Sequence, residues 1–178
     1  MSIINLNEFQ RALSETYVRS LQVIHAALAI GVITFAAVVY VVYSNPPAEN
    51  PSLEDAAELL QTLTIIHVLL ALSCYLAAQI AFTRIAAPNQ DVVENVPSVQ
   101  SSLTRLRSAL IVRLALFEAP AFFGLIVCML GALNGVLHSQ PEYWFNTFSS
   151  VIMLGLVVIT FTTREKLEHT FSEKMTRG

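Results

Sequence analysis

The sequence predicts an all-α membrane protein with four transmembrane helices. Of its 178 residues, 54% are hydrophobic and 13% are charged, which is more apolar than a typical soluble domain. The apolar residues lie in four runs, each long enough at about 1.5 Å per helical residue to cross a hydrocarbon layer of about 30 Å. None of the runs alternates with a period of two, which excludes the strands of a membrane barrel. We expect one domain over residues 1–178, with spans at about 20–43, 62–84, 109–137 and 143–163.

The basic residues predict the orientation of these spans. The connections 44–62 and 138–142 contain no Lys or Arg, so all ten basic residues belong to the other side. Because positive charge favours the cytoplasmic side, we expect both termini in the cytoplasm. No basic cluster is dense enough to predict a nucleic-acid partner. The basic residues are Arg11, Arg19, Arg84, Arg105, Arg107, Arg113, Arg164, Lys166, Lys174 and Arg177.

Each helix has recognisable end signals in the sequence. Proline and Asx residues stop helices, and a Ser or Thr followed by acidic residues starts them. In chain order, the first helix is expected to end at Asn45-Pro46-Pro47 and the second to open at Ser52-Leu53-Glu54-Asp55 and end at Pro88–Asp91. The third is expected to start at Pro97-Ser98 and the fourth at Ser139–Glu142.

An internal similarity suggests that the chain contains two related hairpins. Leu21–Ile33 aligns without gaps on Leu114–Ile126, and an arginine lies shortly before each block. Both blocks run in the same direction through the membrane, so the hairpins would be parallel repeats about an axis along the membrane normal. This symmetry would place His25 and Glu118 at equivalent depths. Chance matching of apolar segments is the alternative explanation.

One polar side chain from each span is expected at a similar depth near the cytoplasmic side. Glu118 follows Arg113 by five residues in an otherwise apolar run, and a carboxylate in hydrocarbon costs at least about 2.5 kcal/mol. The other three polar residues are His25, Gln79 and Thr160. Two interpretations are open: a site at which Glu118 exchanges a proton or cation, or a set of hydrogen bonds that only fixes helix packing. Pro120 is expected to kink the third helix and leave backbone carbonyls available for a water or ion.

Other chemistries have little support in the sequence. His67 is expected near the outer end of the second helix as a satisfied interfacial histidine, at a different depth from His25, which argues against a bis-histidine haem. We find no Ser-His-Asp, metal-ligand or phosphate-loop pattern. We therefore predict no catalytic residues, no metal site, no cofactor and no enzymatic activity.

Two resemblances to known families accompany these patterns. The run "FEAPAFFGLIV", Phe117–Val127, resembles the carboxylate-bearing helix of the rotor-ring proteolipids of rotary ATPases. That resemblance implies an ion-carrying role for Glu118, although the chain lacks their glycine-repeat helix. The whole chain resembles a set of uncharacterised small four-helix bacterial membrane proteins. That resemblance implies a four-helix fold and a location in the bacterial inner membrane. Those proteins share an arginine, an "A-L-x-E-x-P" segment and a final "T-x-E-K" stretch, matched by Arg113, Ala115–Pro120 and Thr163–Lys166.

The leading functional hypothesis is a non-enzymatic membrane module or complex subunit with a buried proton- or cation-responsive site at Glu118. The expected partners are the lipid bilayer and either further copies of the chain or other membrane subunits. One alternative is a structural accessory membrane protein in which Glu118 and His25 only fix helix packing. A second alternative is a small transporter that works as an oligomer.

Overall fold

The chain folds almost entirely into helices. The computed structural model describes residues 13–45, 53–86, 99–161, 163 and 165. Four segments of this part are long and apolar enough to cross a membrane, as the sequence predicted. The elements are α1 Glu15–Ser44, α2 Leu53–Ala86, α3 Val99–Leu133, the short α4 Val136–Ser139, the 3₁₀ helix Pro141–Thr147 and α5 Phe148–Thr160. The four membrane-length segments are α1, α2, α3 and the 3₁₀ helix joined to α5.

Side-chain hydrogen bonds define several helix ends. Ser14 caps α1 by accepting from the Tyr17 backbone N–H at 3.2 Å, and Asn45 closes it by donating from Nδ2 to the Val41 carbonyl at 2.8 Å. After α3 the chain turns at Gly135, whose φ of 71° is one that glycine adopts without a Cβ clash. The end signals expected at Pro46-Pro47, Ser52, Pro88–Asp91 and Pro97-Ser98 lie outside the described residues, as do Arg11, Arg164, Lys166, Lys174 and Arg177.

The fourth span differs from the prediction of one continuous α-helix from residue 143. Its first part, Pro141–Thr147, is a 3₁₀ helix. Side chains in it bond to carbonyls three residues back: Asn146 Nδ2 donates to the Tyr143 carbonyl at 2.9 Å, and Thr147 Oγ1 donates to the Trp144 carbonyl at 2.8 Å. Such local bonds compete with regular α-helical pairing. They also turn the Asn146 side chain into the bundle, where it is buried.

Helix α3 lies at the centre of the bundle and packs against α1, α2, the 3₁₀ helix and α5. The main core joins Val32 of α1, Phe117 and Leu125 of α3, and Met153 of α5. A smaller core joins the first turns of α1 and α3 and is reinforced by a 2.7 Å hydrogen bond from the Tyr17 hydroxyl to the Leu103 carbonyl. We call the end of the bundle that contains this smaller core the arginine end. Four arginines lie near it: Arg19, Arg84, Arg105 and Arg107.

The outward faces of the helices are apolar. Only 11% of the membrane-length window is buried in each of α1 and α2. Large hydrophobic side chains such as Ile30 on α1, Leu76 on α2 and Val158 on α5 are 62%, 66% and 74% exposed. Water-soluble monomers rarely present contiguous apolar surface of this extent. The apolar exposed surface and the length and composition of the four helices therefore all favour a membrane environment.

Candidate functional site

A small cavity at the arginine end brings together three of the residues selected from the sequence. Its polar lining consists of His25 of α1, Arg113 of α3 and Thr160 of α5, and the remaining lining residues are leucines and Phe117. The cavity has a volume of about 10 Å³. The three side chains come from helices that pack against one another, because α3 contacts both α1 and α5, and α1 also contacts α5.

The His25 ring is fully buried at this cavity. Its Nδ1 lies 2.8 Å from the carbonyl oxygen of Leu21, one turn earlier in α1. A carbonyl can only accept, so Nδ1 carries the proton and Nε2 of the neutral ring is an acceptor. Among the described residues, Nε2 has no hydrogen-bond partner. The edge-on ring of Phe161, with its centroid 6.1 Å away, covers the imidazole.

Arg113 enters the cavity between aromatic rings. Its guanidinium carbon lies 5.0 Å from the Phe82 ring centroid and 5.9 Å from that of Phe117, within the range of cation–π attraction. Its Nε–H is buried and finds no acceptor among the described residues. Thr160 Oγ1 donates to the Leu156 carbonyl at 2.6 Å, which leaves its lone pairs able to accept.

The other two predicted site residues do not line this cavity. Glu118 follows the lining residue Phe117 but is itself only partly buried, and it forms no hydrogen bond or ion pair with the described part of the chain. Gln79 lies on an exposed position of α2. Burial disfavours the ionised form of the Glu118 carboxyl. The exchange of a proton or cation at Glu118 stays a prediction.

A second polar cluster, which the sequence analysis did not assemble, lies nearer the opposite end of the bundle. Its centre is His67 of α2, only 5% exposed. Nδ1 of this ring is 2.8 Å from Asn146 Oδ1. Nε2 is 3.0 Å from both the Pro120 carbonyl oxygen and Ser149 Oγ. We call His67, Asn146, Ser149 and the Pro120 carbonyl the His67 cluster.

The hydrogen bonds of Asn146 place a proton on Nδ1 of the His67 ring. Asn146 Nδ2 donates to Thr64 Oγ1 at 3.0 Å and to the Tyr143 carbonyl, which can only accept. The amide oxygen therefore faces His67, so Nδ1 of His67 is the donor. The other ring nitrogen, Nε2, has the Ser149 hydroxyl and the Pro120 carbonyl as its polar neighbours, and the Ser149 proton is donated to that carbonyl. Both ring nitrogens therefore have polar partners within the protein, whereas Nε2 of His25 has none among the described residues.

Two carbonyls next to the proline in α3 serve as acceptors for this cluster and its neighbour. Ser149 Oγ donates to the Pro120 carbonyl at 3.0 Å, and Ser150 Oγ donates to the Ala121 carbonyl at 3.1 Å. Helix α3 continues without a break through Pro120. Gly124 supplies the space: a Cβ there would lie 2.7 Å from His67 Cε1 and would collide with the Asn146 carbonyl oxygen.

The sequence signal for the His67 cluster was the presence of polar residues in apolar runs on α2 and the fourth span. His67 and Asn146 are 79 residues apart, so their contact depends on which helices are neighbours.

Within the described residues, no group of three or more His, Cys, Asp or Glu side chains could hold a metal ion. No family model, curated protein or solved structure matches the chain.

Proposed function

We propose that the chain is a non-enzymatic module of a bacterial inner-membrane assembly, with a proton- or cation-responsive site at Glu118. In this proposal both termini are cytoplasmic, the two hairpins are parallel repeats, and the arginine end faces the cytoplasm. The partners are lipid and either further copies of the chain or other membrane subunits. The apolar outward faces of α1, α2 and α5 support an environment of lipid or other membrane helices.

The observation that carries the proposal is the position of the Glu118 carboxyl. It lies in an apolar stretch of α3, partly buried, with no cationic or hydrogen-bonding partner among the described residues. An ionised carboxylate in that setting is costly, so the group is neutralised by a proton or paired with a cation or another subunit. A proton is favoured over a metal ion, because Ca²⁺ or Mg²⁺ requires several oxygen ligands.

Replacing Glu118 with glutamine tests the proposal directly. The amide keeps the size and hydrogen-bonding capacity of the side chain but cannot titrate. In protein reconstituted into lipid, infrared difference spectra across a pH change are expected to contain a carboxylic-acid C=O band. We expect Glu118→Gln to remove the band that arises from the apolar environment.

Glu58→Gln is the matched control for this experiment. Glu58 lies on an exposed position of α2, toward the opposite end of the bundle, and the substitution removes one carboxyl by the same chemistry. The carboxylic-acid C=O band that arises from the apolar environment should be retained in Glu58→Gln. An identical band in both variants would show that Glu118 is not the titrating group.

The predicted orientation has its own test. Alkaline phosphatase folds only outside the cytoplasm, whereas green fluorescent protein fluoresces when it is left inside. We expect a fluorescent fusion after Gly178 and an active phosphatase fusion after Asn50. Phosphatase activity from a fusion after Gly178 would reverse the proposed orientation.

The alternative, a structural accessory protein, draws support from the His67 cluster. There the polar atoms of His67 and Asn146 are paired within the chain, which is the pattern expected of side chains that fix helix packing. Under this alternative, Glu118→Gln leaves both the infrared difference spectrum and cell growth unchanged.

A further inference from the structure

The cavity at the arginine end contains two unsatisfied polar atoms of opposite character. In the neutral ring, His25 Nε2 is an acceptor because Nδ1 holds the proton, and Arg113 Nε–H is a donor. Both atoms are buried without a partner among the described residues, and both side chains line the same cavity. We infer that this cavity binds one ordered water molecule, which accepts from Arg113 Nε–H and donates to His25 Nε2.

The size of the cavity agrees with this occupant. Its volume is about 10 Å³, close to the minimum of about 10–15 Å³ that one water molecule requires. A phosphate or a lipid headgroup is too large for that space. Buried waters commonly form about three hydrogen bonds. Thr160 Oγ1 provides the third partner, because its own proton is committed to the Leu156 carbonyl and its lone pairs can accept.

The donor and acceptor pattern excludes simple ions. An anion can accept from Arg113 but has no proton to donate to His25 Nε2. A cation cannot accept from Arg113 and would lie beside the guanidinium charge. Water both donates and accepts, so it satisfies all three side chains at once. In the described part of the chain a third buried polar atom lacks a partner, the Tyr75 hydroxyl, but Tyr75 does not line this cavity.

This water explains why three polar side chains from three helices meet in an otherwise apolar layer. It links α1, α3 and α5 through His25, Arg113 and Thr160, which form no direct hydrogen bond with one another, and it is consistent with the Nδ1–H tautomer of His25. The inference stands independently of the proposed function, because it requires no titration of Glu118.

Solid-state NMR of the full chain in lipid bilayers tests the inference, with ¹⁵N-labelled histidine as the reporter. Magnetisation transferred from water should reach the ring of His25, and its nitrogen shifts should identify a neutral Nδ1–H ring with a hydrogen-bonded Nε2. His67 is the internal control, because both of its ring nitrogens bond to protein atoms. We expect no comparable transfer to His67. The His25 signals are assigned by their disappearance in His25→Phe.

Thr160→Val sharpens the experiment, because it keeps the side-chain shape while removing one partner of the water. The transfer to His25 should fall in this variant, while unchanged His67 signals report that the bundle is still folded. The inference is overturned if wild-type His25 receives no more magnetisation than His67. It is equally overturned if the His25 ring is protonated at Nε2, or if Thr160→Val leaves the transfer undiminished in a folded protein.

Discussion

Replacing Gly124 with alanine is expected to lower the free energy of unfolding by about 2–4 kcal/mol, through steric overlap and loss of buried hydrogen bonds. A Cβ at this position would lie 2.7 Å from Cε1 and 2.9 Å from Nε2 of His67, and it would collide with the backbone carbonyl oxygen of Asn146. The carbonyl belongs to the main chain and cannot move aside cheaply. The His67 ring would have to leave Ser149 and the Pro120 carbonyl.

Gly155→Ala provides the matched control. Gly155 lies inside α5, and a Cβ added to it meets no atom within 4 Å. Alanine is better than glycine in a helix interior by about 0.5–1 kcal/mol, so this variant should be slightly more stable than the wild type. Thermal unfolding in a mild detergent, followed by circular dichroism, measures both variants. Equal midpoints for Gly124→Ala and Gly155→Ala would contradict the packing described around His67.

The second large effect is expected for His67→Ala. The substitution leaves a cavity and removes the partner of the Asn146 amide oxygen. Together these effects should lower the free energy of unfolding by about 2–4 kcal/mol. Ser73→Ala on the same helix is the control, because the Ser73 hydroxyl is exposed and bonds only to carbonyls of its own helix. The free energy of unfolding of Ser73→Ala should remain within about 0.5 kcal/mol of the wild-type value.

A double-mutant cycle separates the hydrogen bonds from the cavity. His67→Ala and Ser149→Ala remove the two ends of one 3.0 Å contact. The combined variant should lose less stability than the sum of the single variants, because the second change removes a bond that no longer exists. Strictly additive losses would show that His67 and Ser149 contribute independently.

Much of the fold follows from features that the sequence displays along a single helix. Length and apolar composition predict four membrane-length helices, and the chemistry of Asn45 predicts where the first one ends. The 3₁₀ helix was not predicted, because its geometry depends on Asn146 turning inward to meet Thr64 and His67. Those partners lie on α2, far away in the chain.

The candidate site shows the same limit. The sequence predicts how far along its helix a residue lies, but not which neighbouring helix its side chain faces. A rise of about 1.5 Å per residue predicts that His25, Gln79, Glu118 and Thr160 lie at similar depths along their helices. Depth alone does not say which side of each helix meets a neighbour. The structure brings His25, Arg113 and Thr160 to one cavity, whereas Gln79 is exposed on α2. The deciding fact is the central position of α3, which no local pattern encodes.

That central position also bears on how the protein is made. Among the described residues, α1 and α2 pack mainly against α3 and have little direct contact with each other. In the membrane setting proposed above, α1 and α2 leave the ribosome first during synthesis, and each would wait in the bilayer as a separate helix. The principal tertiary contacts of both form only after α3 enters the membrane. The folding of the whole bundle therefore depends on the insertion of α3, the helix that carries Glu118, Pro120 and Gly124.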